Sequence, residues 1–400
     1  MANTETAQPF MAAPTTHPAL PAVPMLDLER QYAPIRDEII AALAEVVDSR
    51  QFILGDFVSR FEQEACQHLG IRHAVGCASG TDALWLALAA VRIQDQAVIT
   101  TPFSFFASVS SILRAGGKPM LCDIDPVSFN LDATQVKKVL GNAPEHSVAA
   151  ILPVHLYGQC VAWENFTQLA KEFGLALVED AAQAWGASRG DIKAGGLGDI
   201  AAFSFYPTKN LNAAGDAGTV TTNNPELAER TRMLRQHGMR ERYHHDELGW
   251  NARMDGFQGA VLSVHLRYIE QRNALRREAA QRYHKLFANA GLAENRVYPE
   301  QGVVLPQEIG GGRHIWHQYV IRTARRDALR DFLTAQRVGS EIYYPVPLHR
   351  QKALEFLGYE DGAFPEAERA AREVLALPIF PEIRADEQER VVRAVAEFLS

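Results

Sequence analysis

Three residues stand where chemistry could be done. Of the 40 basic residues in this 400-residue chain only 8 are lysines, and one of them, Lys209, directly follows an apolar run, Ile200–Tyr206. A lysine there either snorkels to the surface or carries an amine whose pKa burial lowers, which makes it a nucleophile toward a carbonyl. Asp180 closes a second apolar run, Leu175–Glu179, and leads into Ala181, Ala182 and Gln183. A carboxylate there either caps the next helix or faces a cationic ligand atom, because an unpartnered buried charge is costly. A third run, Ala74–Cys77, leads through Ala78 and Ser79 to Gly80-Thr81-Asp82 and an apolar helix. Gly80 permits close backbone approach, and the free N–H groups and helix dipole there attract an anion. Simple capping would use the same residue types.

An anion cradle, a carboxylate and a lysine are together what a pyridoxal phosphate site needs. The cradle takes the phosphate, the carboxylate keeps the ring nitrogen protonated, and the lysine forms the Schiff base. A flat group over the ring is also wanted. Phe103, Phe105 and Phe106, just after the run Ala97–Thr100, are the candidates.

The elements that must position these residues follow from the hydropathy pattern. Seven short apolar runs are expected as strands: Ala74–Cys77, Ala97–Thr100, Pro119–Ile124, Val148–Tyr157, Leu175–Glu179, Ile200–Tyr206 and Gly218–Thr222. Helical patterns separate them, among them Asp82–Val91, Ala107–Ala115 and Trp163–Phe173. Continuous rather than alternating runs indicate strands covered on both faces, hence an α/β domain with a mainly parallel sheet. In such sheets ligands sit outside the carboxyl ends of the strands, where Gly80, Asp180 and Lys209 all fall. Residues 25–255 are expected to form this large domain. Residues 256–400 read as a smaller α+β domain that opens on one long helix, Phe257–Ala288. Residues 1–24, with five prolines and no periodic pattern, read as a mobile tail.

Composition narrows the partners. The net charge of −8 argues against nucleic acid and against a basic membrane surface. No apolar run is long enough to span a bilayer. The first 29 residues carry no Lys or Arg, so no signal or transit peptide is expected, and the cytoplasm is the default compartment. Cys66, Cys77, Cys122 and Cys160 show neither metal-site nor disulfide spacing. No metal is expected.

These residues resemble the DegT/DnrJ/EryC1/StrS sugar aminotransferases, a branch of the fold-type I pyridoxal phosphate enzymes related to aspartate aminotransferase. The matching stretches include Leu26–Tyr32, Gly80–Leu84, Pro153–Gln159, Glu179–Gln183, Phe203–Leu211 and Tyr344–His349. The resemblance implies a large α/β/α domain with a seven-stranded, mainly parallel sheet, plus the smaller C-terminal domain. It implies that Lys209 carries the cofactor and shuttles protons, that Asp180 pairs with the pyridine nitrogen, and that Gln183 bonds the ring's phenolic oxygen. Ser204, with Gly80, Thr81 and Asp82, would hold the phosphate, and Phe105 would stack on the ring. Asn251 would reach the neighbouring protomer's phosphate, which implies a homodimer with shared active sites.

The chain departs from the family in two places, the extra tail 1–24 and the segment after Pro102. Where relatives carry Asn-Thr-Phe after the proline, this chain has Phe103-Ser104-Phe105, and Phe106 becomes a rival for the stacking role. The reaction implied moves an amino group from L-glutamate, through the pyridoxamine form of the cofactor, to a keto sugar. The acceptor most often is nucleotide-linked, a 3-keto or 4-keto deoxysugar. Arg240 and His244, in the basic segment Met239–His245, and Tyr344 and His349, in the loop Tyr343–His349, are the candidate sugar contacts. A solvated surface loop is the competing reading of the basic segment. Two other functions compete: an aminotransferase for a keto-cyclitol, and a non-catalytic sensor or regulator of the same fold.

Overall fold

The computed structural model describes residues 21–400. Seven strands form the central sheet: β1 His73–Cys77, β2 Ala97–Thr100, β3 Lys118–Leu121, β4 Val148–Ile151, β5 Ala176–Asp180, β6 Ile200–Ser204 and β7 Gly218–Thr222. Their order across the sheet is β1-β7-β6-β5-β4-β2-β3. Pairings β3/β2, β2/β4, β4/β5 and β5/β6 are parallel, whereas β7 runs antiparallel to both β6 and β1. β2 and β7 are buried along their whole length, as expected of strands that helices cover on both faces.

The helix Gly80–Ala90 runs through the middle of the fold. Its sequence is apolar nearly all round, and Ala83 to Leu88 are all buried. A helix with no polar face belongs inside a protein, and this one packs against β6, β7 and the helix Ala107–Arg114. Ser79 caps it by accepting the Asp82 N–H at 3.0 Å.

Three expectations need correction. The run Val148–Tyr157 is a strand only to Ile151, because Pro153 lacks a ladder donor and the chain turns into a short 3-10 helix at Leu156–Gly158. The long helix Phe257–Ala288 is two helices, Gly256–Leu266 and Ile269–Asn289. The first packs on the helices Arg36–Ser49 and Gly55–Leu69, the second on the C-terminal helix Ala385–Leu399. The helix break thus redirects the chain between two sets of packing partners. Of the expected tail, residues 1–20 lie outside the described residues. Residues 21–24 are not tail-like: Val23 is buried, its N–H donates to Arg337 O at 3.0 Å, and its carbonyl accepts from Gly339 N at 2.8 Å.

The small unit contains the antiparallel pair Tyr319–Arg322/Val374–Leu377 and the helices Arg326–Ala335, Pro365–Glu373 and Ala385–Leu399. Its core is continuous with residues of the large unit such as Phe103 and Tyr157. The candidate site lies beside this seam.

Candidate active site

The sheet delivers the key residues from neighbouring strand ends. Asp180 is the last residue of β5, and β6, next to it, ends at Ser204. After Ser204 the chain makes a tight turn in which Lys209 N–H donates to Tyr206 O at 2.8 Å. This turn returns the Lys209 side chain toward Asp180. Burial pulls the Lys209 ammonium down to about 8, while the Asp180 carboxylate acts in the opposite direction.

Asp180 is 3% exposed. Its Oδ2 accepts from Ser108 Oγ at 2.7 Å and its Oδ1 from Ala182 N at 3.2 Å. Burial raises its pKa, and these two donors, Lys209 and His155 oppose the rise. The preceding residue, Glu179, is fully buried yet satisfied. It accepts from the backbone N–H groups of Gly195, Leu197 and Gly198 and from His155 Nε2 at 3.0 Å. Val161 N–H donates to His155 Nδ1, which places the ring proton on Nε2. Glu179 and His155 thus brace the strand end that carries Asp180.

The anion cradle is assembled from two strand ends. A Cβ built on Gly80 would lie 2.4 Å from Ser204 Cβ and 2.8 Å from its Oγ, so only glycine lets the helix start meet the serine. The backbone N–H groups of Gly80 and Thr81 have no acceptor among the described residues. Asp82 is different from what the sequence suggests. Its N–H is taken by Ser79, and its carboxylate accepts from Ser79 Oγ at 3.0 Å and from Arg114 Nη1 at 2.6 Å. It fixes the helix start and offers the anion neither a donor nor, with its charge paired to Arg114, a bare repulsion.

Gln183 has a defined amide. Its Oε1 accepts from Tyr157 N at 2.7 Å, and its Nε2 donates to Tyr344 Oη at 3.1 Å, which leaves one N–H over. Of the three phenylalanines, Phe103 is fully buried and Phe106 packs on the core, but Phe105 is 60% exposed, its ring 6.3 Å from that of Tyr344.

The structure does not bring the other candidates into this cluster. Arg240 and His244 lie on an exposed hairpin, Met239–Glu241/His244–His245, where Arg240 pairs with Asp246 at 3.0 Å. Asn251 is exposed and accepts from Arg253 Nε at 3.0 Å, in a cleft of about 350 Å³ that Ala78, Asp216 and Gln258 also line. His349 is buried against Phe364, its Nε2 3.1 Å from Glu368 Oε1, and so faces small-unit packing rather than the site.

Sequence reasoning missed several residues. Ser108, on the helix Ala107–Arg114, reaches Asp180 across 72 positions of sequence, and Ser104, just before the helix, bonds Ser108. Asn210 donates to Asn273 Oδ1 at 2.8 Å and to Ile315 O at 3.2 Å, so its own Oδ1 accepts from His317 Nδ1 at 3.1 Å. Burial, Lys209, Arg276 and His314 hold His317 well below its ordinary pKa, so this ring is neutral. The one available signal was adjacency: Asn210 follows Lys209.

Comparison with known proteins identifies the family and the fold. The model of the DegT/DnrJ/EryC1/StrS aminotransferase family matches residues 34–396. A protein of Geobacillus stearothermophilus named as a pleiotropic regulatory protein is 45% identical over 94% of this chain and 98% of its own. A UDP-N-acetyl-3-dehydro-α-D-glucosamine 3-aminotransferase of Acidithiobacillus ferrooxidans is 38% identical over 94% and 98%. The crystal structure of S. venezuelae DesV in complex with a ketimine intermediate superimposes with a TM-score of 0.89, at 39% identity over 95% of this chain and 99% of that one.

Proposed function

This chain belongs to the DegT/DnrJ/EryC1/StrS aminotransferase family, and from that premise we propose that it is a pyridoxal phosphate-dependent aminotransferase moving the amino group of L-glutamate to a nucleotide-linked 3-keto sugar. The observation that carries the reading is the convergence of Lys209, Asp180 and the Gly80–Ser204 contact at adjacent strand ends. The 3-keto position rests on the Acidithiobacillus relative, whose name specifies a 3-dehydro sugar. A keto-cyclitol acceptor has no comparable support.

The residues fit the cofactor. The free Gly80 and Thr81 N–H groups and the Ser204 hydroxyl would hold its phosphate at a helix N-terminus. Asp180 would hold the proton on the ring nitrogen, the spare Gln183 N–H would meet the ring oxygen, and the open face of Phe105 would stack on the ring. When bound, the cofactor supplies an electron sink that lets a proton leave the carbon bearing nitrogen.

The protein's own part is positioning and proton transfer. With a pKa near 8, the Lys209 amine is poised close to working pH. It would take the proton from Cα of the amino donor and return it to the cofactor carbon that receives the nitrogen. In the second half-reaction it would move a proton the opposite way, from that carbon to the former carbonyl carbon of the sugar. Asp180, buried and doubly hydrogen-bonded, would keep the proton on the ring nitrogen without having to reorganise, so that the ring could accept the electron pair the departing proton leaves. Tyr344, through Gln183, stands at the edge of the site where the sugar would enter.

Asn251 and the hairpin Met239–His245 would serve the partner's site in a homodimer. Arg253 occupies the Asn251 oxygen, so the amide presents its N–H₂ outward, as a donor to a phosphate needs. On the hairpin, Arg240 and Arg242 would clamp the diphosphate of the sugar nucleotide. A purely regulatory role, which the name of the Geobacillus relative raises, requires neither Lys209 nor Asp180, and both are present, Asp180 buried and Lys209 half-buried.

The test is a screen of nucleotide keto sugars and an inosose with glutamate, read by mass spectrometry, beside borohydride treatment of the loaded enzyme. Amination of a nucleotide 3-keto sugar and cofactor fixed to Lys209 are expected. Fixation on another lysine would sink the assignment, and turnover of the inosose alone would replace the substrate class.

A further inference from the structure

Asp180 is held by more than its own strand. Ser108 Oγ lies 2.7 Å from Asp180 Oδ2, and Ser104 Oγ lies 2.9 Å from Ser108 Oγ. All three side chains are buried, Ser108 completely. A hydroxyl has one proton, and an ionised carboxylate has none to give. While Asp180 is charged, the Ser108 proton therefore points at Asp180, and Ser104 must be the donor to Ser108. The direction of both hydrogen bonds is fixed.

The composition of this segment supports a role beyond packing. Ser108 and Ser111, three positions apart, line one face of the helix Ala107–Arg114, with Ser104 in the bend before it and Ser111 Oγ donating to Thr81 O at 3.3 Å. Alanine would favour the helix more and would bury no polar atom. The hydroxyls are kept where alanine would serve the fold.

We infer that Ser104 and Ser108 form a directed two-hydroxyl relay that keeps Asp180 an anion in its buried site, and are thereby positioning residues for the ring-nitrogen contact. The last clause rests on the cofactor reading above. The effect on Asp180 does not, because the relay is made entirely of protein groups.

Other groups also face Asp180: the Ala182 N–H, the Lys209 ammonium, the His155 ring pledged to Glu179, and the Tyr344 hydroxyl from the small unit. Burial pushes the Asp180 carboxyl up, and Ser108 is the strongest influence opposing it. Without Ser108 the carboxyl holds its proton to higher pH and competes with the ring nitrogen for it.

The experiment compares wild type with Ser108→Ala, Ser104→Ala and Ser108→Thr. Two quantities are followed from about pH 4 to pH 8: the Tm of the cofactor-free protein, and the visible absorbance of the loaded enzyme. A carboxyl whose folded pKa is raised favours the protonated folded form, so its contribution to stability falls as pH climbs past the unfolded value. Loss of a hydrogen bond to a charged group shifts that pKa by about one unit or more. The Tm deficit of Ser108→Ala should therefore be small at the acid end and widen toward neutral pH. The acid limb of the absorbance profile should move up by about one unit.

Ser104→Ala should move both readouts the same way by less, and it reads the relay even if Ser108→Ala does not fold. Ser108→Thr, which keeps the hydroxyl, should restore the wild-type profile. A Tm deficit equal at every pH, with the absorbance profile unmoved, would show that Ser108 only packs and would overturn the relay. Failure of borohydride to fix cofactor on Lys209 would instead overturn the proposed function, while the Tm profiles of the cofactor-free protein would still decide the relay.

Discussion

The strand-end cluster and the segment 239–251 differ in how much of their bonding is complete within one chain. Around Asp180, the carboxylates, amides and the bracing His155 have partners at hydrogen-bond distance, and most are buried. Around Arg240, His244 and Asn251 the side chains are exposed, and the large apolar residues Tyr243, Leu248 and Trp250 stand 55–92% exposed beside them. The first region is built to hold a ligand before it arrives, which lowers the reorganisation needed at the moment of reaction. The second leaves three large apolar side chains and an amide donor at the surface, a patch that the proposed homodimer would cover.

The largest effect expected tests the completed half. Asp180→Asn keeps the shape and the Ser108 contact but removes the charge. We expect turnover to fall by about 10²–10³, the scale of losing one preorganised electrostatic partner, while borohydride still fixes cofactor to Lys209. Turnover within a few-fold of wild type would mean that the buried carboxylate is structural, and the contrast between the halves would lose its basis.

The next effect tests whether the open half belongs to a neighbour. Asn251→Ala should weaken cofactor binding by about 10–100-fold, the range for one hydrogen bond to a charged group. Its location is decided in mixed dimers of Asn251→Ala with Lys209→Ala. If Asn251 serves the partner, the mixed dimer keeps one intact site, joining Lys209 of one chain to Asn251 of the other, and retains about half of its activity. If Asn251 serves its own chain, the one site that retains Lys209 carries the Asn251 defect, and at limiting cofactor its activity falls with the weakened binding of the Asn251→Ala enzyme.

The sequence made the first region far more legible than the second. Lys209, Asp180 and Gly80 could be read because each ends a continuous apolar run, and the carboxyl end of a buried parallel strand is a place with known consequences. Phe105 was left level with Phe106, because exposure separates them and spacing does not. Ser108 carried no signal at all. A serine in a short helix is ordinary, and its meaning comes from which face of the helix turns to β5, a fact set by tertiary packing. Asp82 misled for the reverse reason: it stands in the right turn, yet its donor and its charge are both consumed locally. The break at Leu266 was hidden by a helical period that runs on while the packing partner changes.

A smaller effect concerns the hairpin. Arg240→Ala should raise the KM for the sugar nucleotide about tenfold, with cofactor affinity and kcat little changed, since a phosphate contact far from the reacting carbon acts mainly in binding. An unchanged KM would return the hairpin to an ordinary solvated surface loop, with Arg240 merely paired to Asp246.

The smallest effect on activity is expected at His349, which the family motif groups with the sugar contacts and the structure assigns to packing. Its side chain is fully buried, its ring packs edge-on against Phe364 at 4.9 Å, and its Nε2 faces a Glu368 carboxylate that also accepts the Gly362 N–H at 2.8 Å. Burial lowers the pKa of the ring, so at neutral pH it is a neutral donor to Glu368 rather than a cation available to a diphosphate. Removing it leaves a cavity and a carboxylate short of one donor, a loss of about 1–3 kcal/mol in stability. His349→Ala should therefore lower Tm by several degrees and leave the KM for the sugar within about twofold of wild type. The reverse pattern, an unchanged Tm with a KM raised tenfold, would place His349 in the sugar site. It would also mean that the loop Tyr343–His349 rearranges on binding, and that this part of the small unit takes its final form only with substrate present.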